Sequence, residues 1–81
     1  MNNIMEAGNL IIHGKEFRFE AVVLRDKRED CIDCGRIAKL DVYDSNDAIV
    51  MSYDKGQWII RDTRSKIQDE ILGLINIEFR R

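Results

Sequence analysis

Cys31-Ile32-Asp33-Cys34 is the spacing in this 81-residue chain that most directly invites chemistry. Two thiols so placed can share a metal ion or cycle between dithiol and disulfide. A structural zinc site needs four ligands, ordinarily from a second such pair or from histidines. The chain has two cysteines and one histidine, His13, so a single copy cannot complete that set. A redox pair wants its first cysteine at a helix N-terminus, where the thiol pKa falls. Here the motif runs into Gly35 and a strand-like segment. The reading taken is two loop cysteines with neither metal nor catalytic duty. A zinc shared across a dimer, or an adventitious disulfide, are the alternatives.

The other reactive residue types give less. His13, beside Gly14, has no nucleophile or orienting acid near it in a recognisable pattern, and reads as a surface histidine at a turn. Asp41, Asp44 and Asp47 have turn spacing, without the glycine and terminal glutamate of a calcium loop. Glycine loops that cradle phosphate and nucleophile elbows are missing. Trp58 reads as a core anchor, with an interface anchor as the alternative. The expectation is a protein that is not an enzyme and needs no cofactor or metal.

The elements that would position these residues follow from hydrophobic periodicity. Phe17-Arg18-Phe19-Glu20-Ala21-Val22-Val23-Leu24 opens by alternating apolar with charged, the pattern of a half-buried strand. Phe17, Phe19, Ala21 and Val23 share one face, and Arg18, Glu20, Val22 and Leu24 the other. Residues 1–8 read as a loose lead-in, 10–13 as a short strand, and 14–16 as the turn of a hairpin. Six consecutive charged residues, 25–30, and the cysteine motif form an exposed loop that ends at Gly35 with positive φ.

Residues 36–43 then read as a third strand, with Ala38, Leu40 and Val42 inward. Residues 44–47 form a turn whose side chains bond their own backbone. Residues 48–53 make a fourth strand, with Ile49, Met51 and Tyr53 inward. After a second turn at 54–56, residues 57–61 are a short edge strand or an extended connection. Ile67, Ile71, Leu74 and Ile75 recur at helical spacing. Ser65 with Gln68 matches a capping box, which predicts a helix over 65–79, with Arg80 and Arg81 at its negative end. The fold class is α+β. A four-stranded, or with 57–61 five-stranded, antiparallel meander packs on one C-terminal helix in a single domain over residues 1–81.

Composition bounds the partners. The 44% apolar and 35% charged content excludes disorder. A net charge of −2 is too small for a general nucleic-acid binder or for an acidic DNA mimic, so direct nucleic-acid binding is not expected. No apolar run approaches the roughly 20 residues of a membrane span, and the N-terminus lacks a secretory pattern. Two cysteines without an export signal place the chain, on expectation, in a reducing cytoplasm. One helix covers one sheet face. The other then carries Ile11, Val22, Leu24, Ile37, Tyr43 and Val50 among Arg18, Glu20, Lys39 and Asp41, the make-up of a protein-binding or self-association surface. Singly scattered apolar residues are the plainer alternative. The candidate partner-binding residues are Arg18, Glu20, Ile37, Lys39, Asp41 and Tyr43 on this face, with Arg25 and Arg28 from the charged loop. A homodimer through the face is its simplest use.

Phe19-Glu20-Ala21-Val22-Val23, Gly35-Arg36-Ile37-Ala38-Lys39-Leu40 and Tyr53-Asp54-Lys55-Gly56 with Trp58 follow in an order that resembles a group of small uncharacterised bacteriophage and mobile-element proteins. The resemblance covers residues 17–58 and carries no catalytic residues. Where that group is rich in glycine or serine, this chain has Cys31 and Cys34. The resemblance implies a phage accessory protein in the cytoplasm of a host cell. It would act stoichiometrically on a host protein, such as a CRISPR nuclease or another defence machine. The alternative is a dimer that sequesters a nucleotide or small ligand, with Arg36, Lys39 or Arg61 meeting phosphate.

Overall fold

The computed structural model describes residues 3–79. Five strands, β1 (Asn3–Ile12), β2 (Lys15–Leu24), β3 (Ile37–Tyr43), β4 (Ile49–Asp54) and β5 (Gln57–Ile60), precede one helix, α1 (Lys66–Glu78). They form a single antiparallel sheet in the order β1-β2-β3-β4-β5, so the expected α+β meander is present and 57–61 supplies its fifth strand. A short 3₁₀ turn, Ile32–Cys34, lies in the loop between β2 and β3.

The first hairpin is longer than its sequence pattern announced. The segment expected as a loose lead-in is strand from Asn3 onward, and β1 pairs with β2 from Asn3 opposite Leu24 to Ile12 opposite Lys15. Gly8 makes this possible beside an aromatic neighbour. A Cβ there would lie 2.8 Å from Cε1 of Phe19, so the ring needs the bare backbone. The turn is His13-Gly14, not 14–16. Both residues have positive φ, 50° and 78°, as a two-residue hairpin requires. Lys55-Gly56 repeats the device between β4 and β5, with φ of 51° and 81°.

Phe17, Phe19, Ala21 and Val23 of β2 are buried in one cluster with Leu40, Val42, Met51 and Tyr53 from the sheet and Ile71 and Ile75 from the helix. Three register shifts then change which neighbours join them. Between Val22 and Val23 the partner residue jumps from Lys39 to Ile37, which turns Ile37 into the core at 2% exposure. Ile37 was expected on the open face; the bulge places it on the opposite one. A second shift, where Tyr43 pairs with Ile49, sends Val50 to pack against the core and leaves Ile49 exposed, which reverses both expectations. The third lies between Ser52 and Tyr53. Beyond it Trp58 packs edge-on against Tyr53, with ring centroids 5.1 Å apart, as a core anchor. Leu24, also expected on the open face, is buried at the end of β2.

The helix starts at the expected cap. Ser65 Oγ accepts the Gln68 N–H at 3.1 Å. Only half of the capping box forms, because the Gln68 side chain accepts from the Asp62 N–H at 2.8 Å and donates to the Val50 carbonyl at 3.0 Å. Leu74, expected in the apolar stripe, is 45% exposed, while Ile67, Leu72 and Phe79 pack against the core. Arg80 and Arg81 lie outside the described residues. The helix C-terminus is met instead by Arg36, whose Nε and Nη2 donate to the Phe79 carbonyl at 3.1 and 2.8 Å.

Ile37→Ala is expected to lower stability in urea by about 2–5 kcal/mol, the cost of a core cavity. Leu74→Ala is expected to change it by less than about 0.5 kcal/mol. Equal effects would contradict the bulge. Ser65→Ala should cost about 1 kcal/mol through the lost cap.

Candidate partner-binding face

Opposite the helix, β2 and β3 set three pairs side by side: Arg18 with Tyr43, Glu20 with Asp41, and Val22 with Lys39. The Arg18 guanidinium lies 4.3 Å from the Tyr43 ring centroid and reaches Asp47 at 3.3 Å and Glu20 at 3.7 Å. Glu20 and Asp41 are like charges directly across the strands, a destabilising arrangement unless compensated. Arg18 partly offsets it on one side. On the other, Asp41 accepts the Ser52 hydroxyl at 2.7 Å. The Tyr43 phenol is pushed above its ordinary pKa, chiefly by loss of solvent and then by Asp41 and Glu20.

An apolar margin surrounds this charged centre. Register puts Met5 opposite Val22, Ile49 opposite Tyr43, and Ile60 opposite Ser52, all on the same face. Ile11 joins them from β1. Met5 is 73% and Ile11 69% exposed. A shallow depression of about 290 Å³ runs between Met5, Glu20, Val22, Lys39 and Asp41. Met5, Ile49 and Ile60 were not legible as members of the face. Residues 1–8 were read as a lead-in, and the bulges change the parity of β4 and β5. The complementarity of 3–12 to 15–24 around His13-Gly14 is the signal that could have found Met5.

Arg18, Glu20, Lys39, Asp41 and Tyr43 come together on the face, and Ile37 does not. Arg25 and Arg28 are exposed in the loop that leaves β2, where Arg28 pairs with Asp30 at 2.8 Å. That loop is tethered, since the Tyr53 hydroxyl donates to the Asp30 carbonyl at 2.8 Å. Arg36, Lys39 and Arg61 do not converge on a phosphate-sized site. Arg36 holds the Phe79 carbonyl, whereas Arg61 pairs with Asp69 at 2.6 Å and lies 5.4 Å from the Trp58 ring centroid. His13 bridges the first turn to the helix through Glu70 at 2.9 Å.

The cysteines are not a matched pair in an exposed loop. Cys31 and Ile32 are buried, while Cys34 is exposed, and both thiols are free. Burial pushes the Cys31 thiol up in pKa, with Asp30 adding to the shift. Positive φ falls on Asp33 and Cys34, at 53° and 54°, whereas Gly35 has φ −98°. Gly35 is constrained in another way, because a Cβ there would sit 3.1 Å from the Ile32 carbonyl. Among the described residues no group of three His, Cys, Asp or Glu side chains is arranged to hold a metal ion.

A family model described as "Domain of unknown function (DUF7678)" matches residues 4–77. The chain belongs to that family. The DUF7678 match spans the whole sheet except Asn3, and nearly all of the helix, so both faces described here lie within the family's domain. No curated protein and no solved structure matches the chain. Among the described residues no helix is long and apolar enough to cross a membrane.

A thiol reagent is expected to titrate one cysteine rapidly in the folded protein and two in denaturant. Cys34→Ser should remove the fast reaction. Rapid modification of both thiols in the native state would contradict the burial of Cys31.

Proposed function

We propose that this DUF7678 chain works by stoichiometric binding, docking the uncovered sheet face on a host protein and occluding it, without turnover. The observation that carries this reading is that face itself. Exposed Met5, Ile11, Ile49 and Ile60 surround a charged centre of Arg18, Glu20, Lys39, Asp41 and Tyr43. Arginine and tyrosine are the residue types that concentrate binding energy in protein interfaces, and here they are already stacked. Facing carboxylates at Glu20 and Asp41 favour a partner that brings a lysine or arginine to that point, where its charge relieves their repulsion. The apolar margin supplies the desolvated area around it.

The class of partner rests on the resemblance of residues 17–58 to bacteriophage and mobile-element proteins. On that reading the chain is a phage-type accessory protein in the host cytoplasm. Its target is a component of a defence machine, with a CRISPR nuclease as the leading case.

The test is a tagged pull-down from a bacterial host, resolved by mass spectrometry and followed by titration of the purified partner. A single protein at fixed ratio is expected. Its affinity should fall on the order of 10- to 100-fold in Tyr43→Glu and in Lys39→Glu, and hold in Leu74→Glu on the far side of the helix. Inhibition of a captured nuclease should need at least equimolar chain. Capture that survives Tyr43→Glu, or an effect at catalytic amounts, would overturn the reading.

A further inference from the structure

Among the described residues β1 is an edge strand of ten residues with a partner on one side only. Its turn fixes which backbone groups are unused. In a two-residue hairpin the flanking pair, Ile12 and Lys15, exchanges both hydrogen bonds, and bonded pairs then alternate along the strands. Ile4, Glu6, Gly8, Leu10 and Ile12 therefore spend their N–H and C=O groups on β2. Met5, Ala7, Asn9 and Ile11 direct theirs away from the sheet.

Proteins ordinarily guard such an edge with proline, lysine, a bulge or brevity. Here the chain has no proline, β1 pairs with β2 without a register shift, and Glu6 is the one charged side chain in the strand. Ile4 at 56% exposure adds to Met5 and Ile11, so the unguarded edge is also apolar.

We infer that β1 pairs antiparallel with β1 of a second copy of this chain, about a two-fold axis through Gly8. Only registers that set odd positions against odd ones let the outward groups of both strands meet. An axis through Gly8 satisfies this and is self-complementary. Met5 faces Ile11 of the partner strand, Ile4 faces Ile12, Ala7 faces Asn9, and Glu6 lies beside Leu10. No two like charges are opposed, in contrast to an axis through Glu6, which would set that carboxylate against its own copy. The axis stands perpendicular to the sheet. Two five-stranded sheets thus become one of ten strands, with both helices on one side and both partner-binding faces on the other. The pairing draws on β1 alone and does not depend on what the open face binds.

Sedimentation of the full chain tests it directly. At about 100 µM the expected mass is twice that of the 9.5 kDa chain, falling toward monomer on dilution. Ala7→Pro removes an outward N–H and no bond to β2, so a monomer with an unchanged circular dichroism spectrum is expected. The double variant Met5→Cys, Ile11→Cys in a Cys34→Ser background should crosslink between chains on oxidation, and Met5→Cys, Asn9→Cys should not. The crosslink decides the matter if Ala7→Pro fails to fold. A monomer at the highest concentration overturns the inference and leaves the edge to a strand of a different protein. A dimer that resists Ala7→Pro, or that fails to crosslink through positions 5 and 11, overturns it by placing the interface elsewhere.

Discussion

A helix is about 10 Å across, whereas five strands span about 19 Å between the outermost axes. That mismatch governs this molecule. α1 can shelter only part of one face, and the cluster beneath it is drawn mainly from β2, β3 and β4, with Ile12 of β1 and Ile32 of the loop beside them and Ile71 and Ile75 closing it. Residues of the outer strands stay exposed even on the helix side, as Ile4 does. Among the described residues nothing covers the far face. Its residue choice has to be stable in water by itself, and the result is a polar centre under cross-strand pairing, with apolar groups toward the edges.

The loop between β2 and β3 also extends the core beyond the helix. It sends Cys31 and Ile32 inward, hangs from the Tyr53 hydroxyl through the Asp30 carbonyl, and receives Asn76 of α1 at Asp33, 2.9 Å away. Arg36 at its end satisfies the last helical carbonyl. A run of six charged residues thus leads into a clasp between sheet and helix. Its exposed charges are the solvated side of a packed segment. The consequence for chemistry is that Cys31 and Cys34, three positions apart in sequence, differ in environment, one a core side chain and the other a surface thiol. Spacing identified the motif, and burial separates its two members.

The period-two alternation of β2 and the period near 3.6 of α1 were both legible, as were the Ser65 cap and the turn at Asp44. There the carboxylate accepts from the Asn46 and Ala48 N–H groups at 2.9 and 3.0 Å. All of these depend on neighbours in sequence. What sequence did not reveal depends on distant partners. Residues 3–8 become strand on the ten-residue ladder that β2 offers, and their mix of polar and apolar residues, without a clear period of two, gives no local sign of it. Ile37, Ala38, Leu40 and Val42 are apolar at both parities, so nothing in that segment marks where a bulge exchanges faces. The candidate face was correspondingly legible at its centre, where Arg18, Glu20, Lys39, Asp41 and Tyr43 lie between the shifts. At its margin Ile11 was legible, whereas Ile37 and Val50 leave and Met5, Ile49 and Ile60 enter.

That division bears on what the face is suited to do. Most interfaces place apolar residues at the centre and charge at the rim, and draw affinity from the desolvated middle. Here the order is inverted, with Glu20 against Asp41 in the middle of the sheet. A central pair of like charges contributes little affinity of its own and strongly rejects a partner that brings a third carboxylate. A basic side chain seated between them gains from both, while the outlying Met5, Ile11, Ile49 and Ile60 bury area only when that seating is correct. On the proposed binding reading, the centre would select and the margin would supply affinity. Pairing of β1 edges would take Met5 and Ile11 partly from that margin and give back a second, contiguous face, exchanging local apolar area for bivalent contact.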